Sequence, residues 1–244
     1  MPLKSPFQDS RFIARYLSLR QQEGNPTEPL DKRTIRALLP ALSGRSVLDL
    51  GCGWGDFCRY AAANGAAKVV GIDFSEGMLE AAHKHTHQSN IKYILDDIED
   101  VVLPAQEFDL VHSDLTIHYI SDLSALLRRI HKTLTPGGRF IFSVEHPIKT
   151  AQDDGWILDS KGLKQAWRLD AYGQEGARAT KWLEFPITKY HRKVETYLSA
   201  LLEVSFRVTA VKEPQPTSDD LARLPSMQYE TARPPFLIVA ASSS

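Results

Sequence analysis

The feature that most constrains the fold is a strand–turn–helix–strand pattern over residues 47–73. It opens with VLDLGCGWG at 47–55, an apolar strand that runs into a loop in which every second residue is glycine. It closes with VVGID at 69–73, a second apolar strand that ends in an acid. Glycines after a buried strand let the backbone turn sharply and approach a ligand without a Cβ in the way. The pattern therefore predicts an open α/β sheet with a binding crevice at the carboxyl ends of its strands.

The rest of the chain continues the alternation of strands and helices. We expect a doubly wound, Rossmann-like, seven-stranded mixed sheet whose last strand is antiparallel, with helices on both faces. The strands are predicted at 47–50, 69–73, 91–95, 108–112, 139–144, 204–212 and 236–240, and the helices at 9–20, 31–40, 56–64, from Ser75 onward, at 122–134 and at 191–203.

The length fits one domain with an insertion. We expect a helical leader at 1–40, a binding core at 41–145, an insertion at 146–190 and a C-terminal part at 191–244. The insertion lacks clear periodicity and holds three of the four tryptophans, Trp156, Trp167 and Trp182. We interpret it as a lid that dries the site and shapes a pocket for a partly aromatic or planar substrate. The alternative is a small satellite core.

Composition and charge exclude several partner classes. The 29 Lys and Arg residues nearly balance 30 Asp and Glu residues, so no nucleic-acid partner is expected. No apolar run reaches membrane-spanning length, and the segment MPLKSPFQDS lacks the apolar core of a signal peptide, which together predict a cytoplasmic protein away from membranes. Cys52 and Cys58 are expected to be reduced packing residues. The choice between monomer and homodimer stays open.

Two acids favour one kind of nucleoside site over another. A dinucleotide fingerprint requires Gly or Ala at position 56, where a pyrophosphate needs room, but this chain has Asp56. Asp49, at the end of the first strand, suits a cation such as an α-amino group. Asp73, 22 positions after Gly51, lies where an acid can bind two ribose hydroxyls. VLDLGCGWG, the downstream GIDFSEGML and the later LTPGGRFIFSVEHP together resemble the motifs of class I S-adenosylmethionine-dependent methyltransferases.

The resemblance implies S-adenosyl-L-methionine as cofactor and S-adenosyl-L-homocysteine as product. It places the methionine end on the first strand and its glycine loop, the ribose on the second strand, and the adenine against apolar residues and the acid of ILDDIEDV. The cofactor residues so implied are Asp49, Gly51, Gly53, Asp73, Phe74, Met78, Asp97, Ile98 and Ser113, with Tyr16 and Arg20 of the leader closing over the methionine carboxylate.

Methyl transfer needs positioning, exclusion of water and, for many acceptors, a base. Such a base must lie at the carboxyl ends of the fourth and fifth strands. His146 and His191 are the first choice because histidine titrates near neutral pH, and Glu145 could orient one of them. His118 and Tyr119, which follow the fourth strand in HSDLTIHYI, are the other candidates.

Several alternatives remain open at the level of sequence. A nicotinamide-dependent oxidoreductase uses a related sheet, and a non-catalytic S-adenosylmethionine-binding protein would keep the same cofactor site. Ser113-Asp114-Leu115-Thr116 departs from the Asn/Asp-Pro-Pro-aromatic motif of methyltransferases that act on planar amines in nucleic acids or on glutamine, which favours a small-molecule acceptor. The accepting atom, whether oxygen, nitrogen or carbon, is not determined. His83 and His87 lack an evident third ligand, so no metal is predicted.

Overall fold

A seven-stranded mixed sheet forms the centre of the computed structural model, in the order β3-β2-β1-β4-β5-β11-β10. The structure describes residues 6–22, 30–152 and 154–243, with the backbone alone for residues 19–22. The sheet strands are β1 (Ser46–Leu50), β2 (Lys68–Asp73), β3 (Ile91–Leu95), β4 (Phe108–Ser113), β5 (Leu134–Glu145), β10 (Arg207–Lys212) and β11 (Phe236–Ser242). The helices are α1 (Ser10–Gln22), α2 (Leu30–Leu38), α3 (Asp56–Ala63), α4 (Glu76–His85), α5 (Leu123–Thr133), α6 (Pro147–Thr150), α7 (Val194–Glu203) and α8 (Ser218–Arg223).

The five strands β1 to β5 are parallel, and β11 pairs antiparallel with both β5 and β10. The predicted fold class is thus confirmed, including its antiparallel last strand. Because parallel strands end at the same edge of a sheet, the carboxyl ends of β1, β2, β4 and β5 lie side by side. The predicted site residues that follow these strands therefore meet at one edge.

Helices cover both faces of the sheet, so its central strands are buried on both sides. On one face, Val47 and Leu110 pack with Ile35 of α2 and Ala61 of α3. On the other face, the alternate strand residues, Leu48 among them, pack with α5 and α7. A strand that is buried on both sides has mostly apolar residues along its whole length, which accounts for the composition of VLDL in β1 and VVGI in β2.

Some element boundaries differ from the prediction for identifiable reasons. β5 begins at Leu134, before the Pro136-Gly137-Gly138 turn, because Leu134 already pairs with Phe108 of β4. α7 begins at Val194 and not at 191, since the preceding strand continues through His191. β10 begins at Arg207 and not at 204, because Ser205, with φ of 67°, turns the chain after α7.

The insertion is more regular than its sequence indicates. It forms two antiparallel hairpins, β6 (Trp156–Leu158) with β7 (Lys164–Trp167), and β8 (Gly176–Trp182) with β9 (Phe185–His191). In β8 the residues alternate between half-buried and exposed, but three of the four half-buried positions hold Gly176, Arg178 and Thr180, and only Trp182 is apolar. Hydrophobic periodicity therefore misses this strand, since its inward residues are not consistently apolar.

No helix in the described ranges is long and apolar enough to cross a membrane. Cys52 and Cys58 are both buried and both free thiols, as the sequence predicts.

Candidate active site

The glycine loop after β1 has backbone geometry that side chains would obstruct. Gly51 and Gly53 have φ values of 73° and 52°, in the left-handed region that favours glycine. A Cβ on Gly51 would lie 2.3 Å from Oγ1 of Thr116, so this position admits no side chain without movement. A Cβ on Gly53 would meet nothing within 4 Å, and Gly53 lines the cavity described below. The loop therefore packs tightly on one side and stays open toward the cavity.

Asp73 ends β2 as a buried carboxylate that accepts two backbone hydrogen bonds. The amide of Gly53 donates to Oδ2 (2.8 Å), and the amide of Ser75 donates to Oδ1 (2.9 Å). Burial raises the pKa of Asp73 to about 6, with a further contribution from the charge of Asp49, and the two backbone donors oppose the rise. A carboxylate so placed at a cavity wall is suited to accept hydrogen bonds from a pair of hydroxyls.

Asp49 is the next-to-last residue of β1 and is 2% exposed. Its Oδ1 lies 2.7 Å from Nδ1 of His112 on β4, and its Oδ2 accepts a hydrogen bond from the Cys58 thiol (3.3 Å). Both Asp49 and His112 line the cavity. The first two strands thus deliver two carboxylates to one cavity, as the sequence predicts.

Apolar side chains line the cavity beyond Asp73. Met78 and Ile98 are buried, Phe74 is half-buried, and Asp97 is exposed at the rim, where its Oδ1 accepts a hydrogen bond from the amide of Glu99. All four predicted residues line the cavity. Tyr16 of α1 lines it too, whereas the side chain of Arg20 lies outside the described residues.

The cavity has a volume of about 950 Å³, near the upper end of the range for small-molecule sites. Aromatic side chains from the leader and the insertion meet across it. The Trp182 ring, at the tip of the β8–β9 hairpin, lies 5.3 Å from the ring of Phe12, 5.7 Å from Tyr16 and 5.9 Å from Phe7. Trp182 lines the cavity, whereas Trp156 and Trp167 pack on each other (5.2 Å) outside its lining.

At the ends of β4 and β5 the cavity is lined by His118, Tyr119 and Glu145. His118 is 1% exposed, and neither ring nitrogen has a hydrogen-bond partner among the described residues. Burial lowers the pKa of His118 to about 3, although the carboxylate of Glu145 opposes the shift. Burial also raises the pKa of Tyr119 well above its ordinary value, so the phenol keeps its proton. This end of the cavity thus holds a neutral imidazole and a neutral phenol.

Glu145 is fixed by two ammonium groups. Nζ of Lys149 lies 2.7 Å from one carboxylate oxygen and Nζ of Lys189 lies 2.6 Å from the other. Burial opposes ionisation, but the charges of Lys149 and Lys189 and the hydrogen bond from Lys149 outweigh it and hold the pKa of Glu145 well below its usual value. Glu145 is therefore ionised, and its negative charge acts on His118.

The other two predicted bases, His191 and His146, do not line the cavity, and both rings make hydrogen bonds to other parts of the chain. The His191 ring is satisfied on both nitrogens, by Oγ1 of Thr150 (2.9 Å) and the carbonyl of Tyr172 (3.0 Å). The His146 ring accepts from the amide of Ile148 (3.1 Å), capping α6, and its Nε2 lies 2.8 Å from Glu213. Both histidines hold the insertion and neighbouring loops to the core.

Ser113 likewise departs from its predicted role. Its hydroxyl donates to the carbonyl of Leu50 (2.8 Å), and the side chain is buried between β1 and β4 without lining the cavity. The next residues do line it: Asp114 accepts a hydrogen bond from Ser143, and Leu115 has an unusual φ of 49°. The left-handed turn at Leu115 directs the chain from β4 along the cavity wall.

Two cavity residues, His112 and Lys149, were not anticipated from the sequence. His112 lies within the apolar run of β4, so the sequence indicates only a residue of the strand interior. Its pairing opposite Asp49 in the sheet is the signal that could have identified it as a cavity residue. Lys149 lies two positions after Pro147, in a four-residue helix too short to show periodicity. Neither position carries a local motif.

Comparison with known proteins agrees with this geometry. The methyltransferase domain family matches residues 48–142. The crystal structure of an S-adenosylmethionine-dependent methyltransferase from Mesorhizobium loti shares 40% identity and a TM-score of 0.83, over 88% of this chain and 98% of that one. The chain therefore belongs to the class I S-adenosylmethionine-dependent methyltransferases, and it is an enzyme that uses S-adenosylmethionine. This membership excludes the nicotinamide-dependent alternative.

Two curated relatives are also similar to this chain. An uncharacterized protein of Haemophilus influenzae is 35% identical over 249 residues, which cover 97% of this chain and 96% of that protein. A ubiquinone biosynthesis O-methyltransferase of Coxiella burnetii is 30% identical over 146 residues, which cover 55% of this chain and 62% of the relative. The match to the Coxiella enzyme is thus confined to part of each chain.

The residues present fit the cofactor. The Asp73 carboxylate can accept hydrogen bonds from two ribose hydroxyls, and Gly53, whose amide donates to Asp73, leaves open space next to that carboxylate. The Asp49 carboxylate can attract an α-ammonium group. Met78 and Ile98 supply the apolar surface that an adenine ring requires.

Proposed function

We propose that this enzyme methylates a small molecule whose accepting atom carries a proton, and that His118 receives that proton. The observation that carries the proposal is the unpartnered, buried imidazole of His118 in the wall of the cavity. S-Adenosylmethionine supplies an electrophilic methyl group on a sulfonium. The protein's part is to hold the donor on β1 and β2 and to present the acceptor from β4 and β5.

The cofactor assignments belong to the same proposal. We place the methionine end at Asp49 and Gly51, the ribose at Asp73 and the adenine between Phe74, Met78 and Ile98. Asp97 lies at the rim where an exocyclic amine would be. Gly53 and Tyr16 complete this half of the cavity.

The electrostatics around His118 support its role. The lowered pKa of His118 leaves the ring neutral at physiological pH, so a lone pair is available to accept a proton, although the same shift makes the imidazole a weaker base. Protonation in a buried site is costly, and the ionised Glu145 offsets part of this cost. Tyr119 keeps its hydroxyl proton and can donate a hydrogen bond to the acceptor. These three side chains form the catalytic end in our proposal.

The lining favours a small and partly planar acceptor. Trp182 and Tyr119 present ring surfaces to the cavity, and the insertion covers it through the β8–β9 hairpin. We regard residues 1–244 as one methyltransferase domain in which residues 146–190 form a lid. The lid excludes water from the reacting atoms.

The test begins with the acceptor. Pure enzyme, incubated with isotopically labelled S-adenosylmethionine and a metabolite extract, should transfer label to a compound that mass spectrometry identifies. With that compound, His118→Gln should lower kcat by about 10²-fold, the lower end for loss of a general base. S-Adenosylhomocysteine affinity should stay unchanged, because His118 acts on the acceptor.

His191→Gln and His146→Gln serve as matched controls, since they change buried histidines that do not line the cavity. Both should lower the thermal midpoint and leave kcat of the folded enzyme within a few-fold of the wild type. If His118→Gln retains full kcat, or if either control variant loses as much kcat, the assignment of the base is wrong.

A further inference from the structure

The side-chain contacts at the end of β1 involve His112, a residue that the cofactor assignments above do not include. Asp49 and His112 are register partners on the neighbouring parallel strands β1 and β4. Oδ1 of Asp49 lies 2.7 Å from Nδ1 of His112, and both side chains are buried. An ionised carboxylate can only accept hydrogen bonds, so Nδ1 of His112 carries the proton and donates it.

The His112 ring is itself held in place. It stacks on Phe57 of α3 with a ring-centroid distance of 3.5 Å and an interplanar angle of 18°. The same helix supplies Cys58, whose thiol donates to the other oxygen of Asp49. Asp49 is thus fixed from two sides, by β4 and by α3, in the wall of the cavity.

We propose that His112 is a positioning residue for the methionine half of the donor, acting through Asp49. An imidazole that donates from Nδ1 holds the Asp49 carboxylate in one orientation. A carboxylate so held attracts an α-ammonium group. The inference rests on the proposed placement of the methionine end at Asp49, and it adds a second strand, β4, to the part of the fold that recognises the donor.

The two halves of the nucleoside provide the test. Isothermal titration calorimetry would measure the affinity of the full-length enzyme for S-adenosylhomocysteine and for adenosine, which lacks the amino-acid part. His112→Leu should weaken S-adenosylhomocysteine binding about tenfold, which is the loss of one charge-assisted hydrogen bond at 1.4 kcal/mol per tenfold. Adenosine affinity should stay within about twofold. His112→Asn should restore most of the S-adenosylhomocysteine affinity, because its amide can donate to Asp49.

His131→Leu is the matched control. His131 on α5 contacts an aromatic ring, that of Phe206 at 5.0 Å, but does not line the cavity. The His131→Leu variant should bind S-adenosylhomocysteine and adenosine with the affinities of the wild type.

Three results would overturn the inference: unchanged S-adenosylhomocysteine affinity in His112→Leu, an equal loss for both ligands, or no rescue by His112→Asn. The Asp49→Asn variant distinguishes an error in the role of His112 from an error in the placement of the methionine end at Asp49. If Asp49→Asn binds S-adenosylhomocysteine as tightly as the wild type, the methionine end is misplaced. If it binds weakly while His112→Leu binds normally, only the role of His112 is wrong.

Discussion

Individual side chains in this cavity have charge states set by burial, and Asp73 shows the consequence for ligand binding. Its pKa is raised from 3.8 to about 6, by burial first. Because the folded-state pKa lies above the ordinary one, the contribution of Asp73 to stability is present below pH 3.8 and lost as pH rises through about 6. Hydroxyl groups of a ligand need the ionised form, so binding has the opposite dependence on pH.

Adenosine binding should therefore weaken as pH falls. With a pKa of about 6, the dissociation constant at pH 5 should be about tenfold higher than at pH 7. Calorimetry at pH 5 in buffers of different ionisation enthalpy should also show proton release on binding. Asp73→Asn should bind weakly throughout and lose this slope. A wild-type affinity that is constant from pH 5 to 7 would contradict the assignment of the ribose to Asp73.

The residue scale also shows which cavity residues the sequence could indicate and which it could not. Asp49 and Asp73 were predictable, because acids at the ends of buried strands are costly unless a ligand or donor uses them. The choice between His118, His146 and His191 was not, since all three follow strands or rejoin the core in the same way. Only the three-dimensional contacts show that the His191 ring is hydrogen-bonded to Thr150 and Tyr172, whereas neither nitrogen of the His118 ring has a hydrogen-bond partner among the described residues.

Among the elements, the β8–β9 hairpin has the clearest functional consequence. Its tip residue Trp182 packs on Phe12 and Tyr16 of α1, and Arg15 of α1 donates to the carbonyl of Leu183 (3.2 Å). The hairpin and the first helix are thus joined over the cavity. Contacts within the other hairpin, β6–β7, lie away from the cavity lining.

The substitution Trp182→Ala should weaken the contact between the β8–β9 hairpin and α1 over the cavity. We expect the free energy of unfolding to fall by about 2 kcal/mol, for the loss of a half-buried aromatic side chain. S-Adenosylhomocysteine should also dissociate faster, by about an order of magnitude, because affinity changes between related complexes arise mainly in the dissociation rate. Urea denaturation and stopped-flow displacement would measure the two effects.

Trp167→Ala is the matched variant in the β6–β7 hairpin. It removes ring contacts with Trp156 and with the Arg233 guanidinium, 4.5 Å from the ring centroid. It should reduce stability without changing the dissociation rate. Equal acceleration by both substitutions would mean that the insertion as a whole, and not the contact of Trp182 with α1, retains the nucleoside.

The elements of the core were predictable, and those of the insertion were not. Strands buried on both faces are continuous apolar runs, so β1, β2, β4 and β11 are visible in the sequence. Strands of a two-stranded hairpin have one exposed face and a weakly apolar inner face, as in GARATKW of β8. Their structure depends on packing against other parts of the molecule, which no short window of sequence contains.

For the whole molecule, ligand binding should appear as added stability. A ligand at 100 times its dissociation constant stabilises the folded state by about 2.7 kcal/mol. For a chain of 244 residues this corresponds to a rise in the thermal midpoint of about 5–10 °C. S-Adenosylhomocysteine should produce this rise in differential scanning fluorimetry, whereas NAD should not. A larger shift with NAD would contradict the cofactor preference that the family implies.

The position of β11 has a consequence for how the molecule assembles. β11 lies between β5 and β10, yet it follows β10 in the chain. As translation proceeds, the five parallel strands can associate as each emerges, whereas β10 has no neighbour to join until β11 has been made. The nucleoside-binding half can thus take shape early in biosynthesis, and the edge of β5 stays open to unwanted pairing with other nascent chains until β11 covers it.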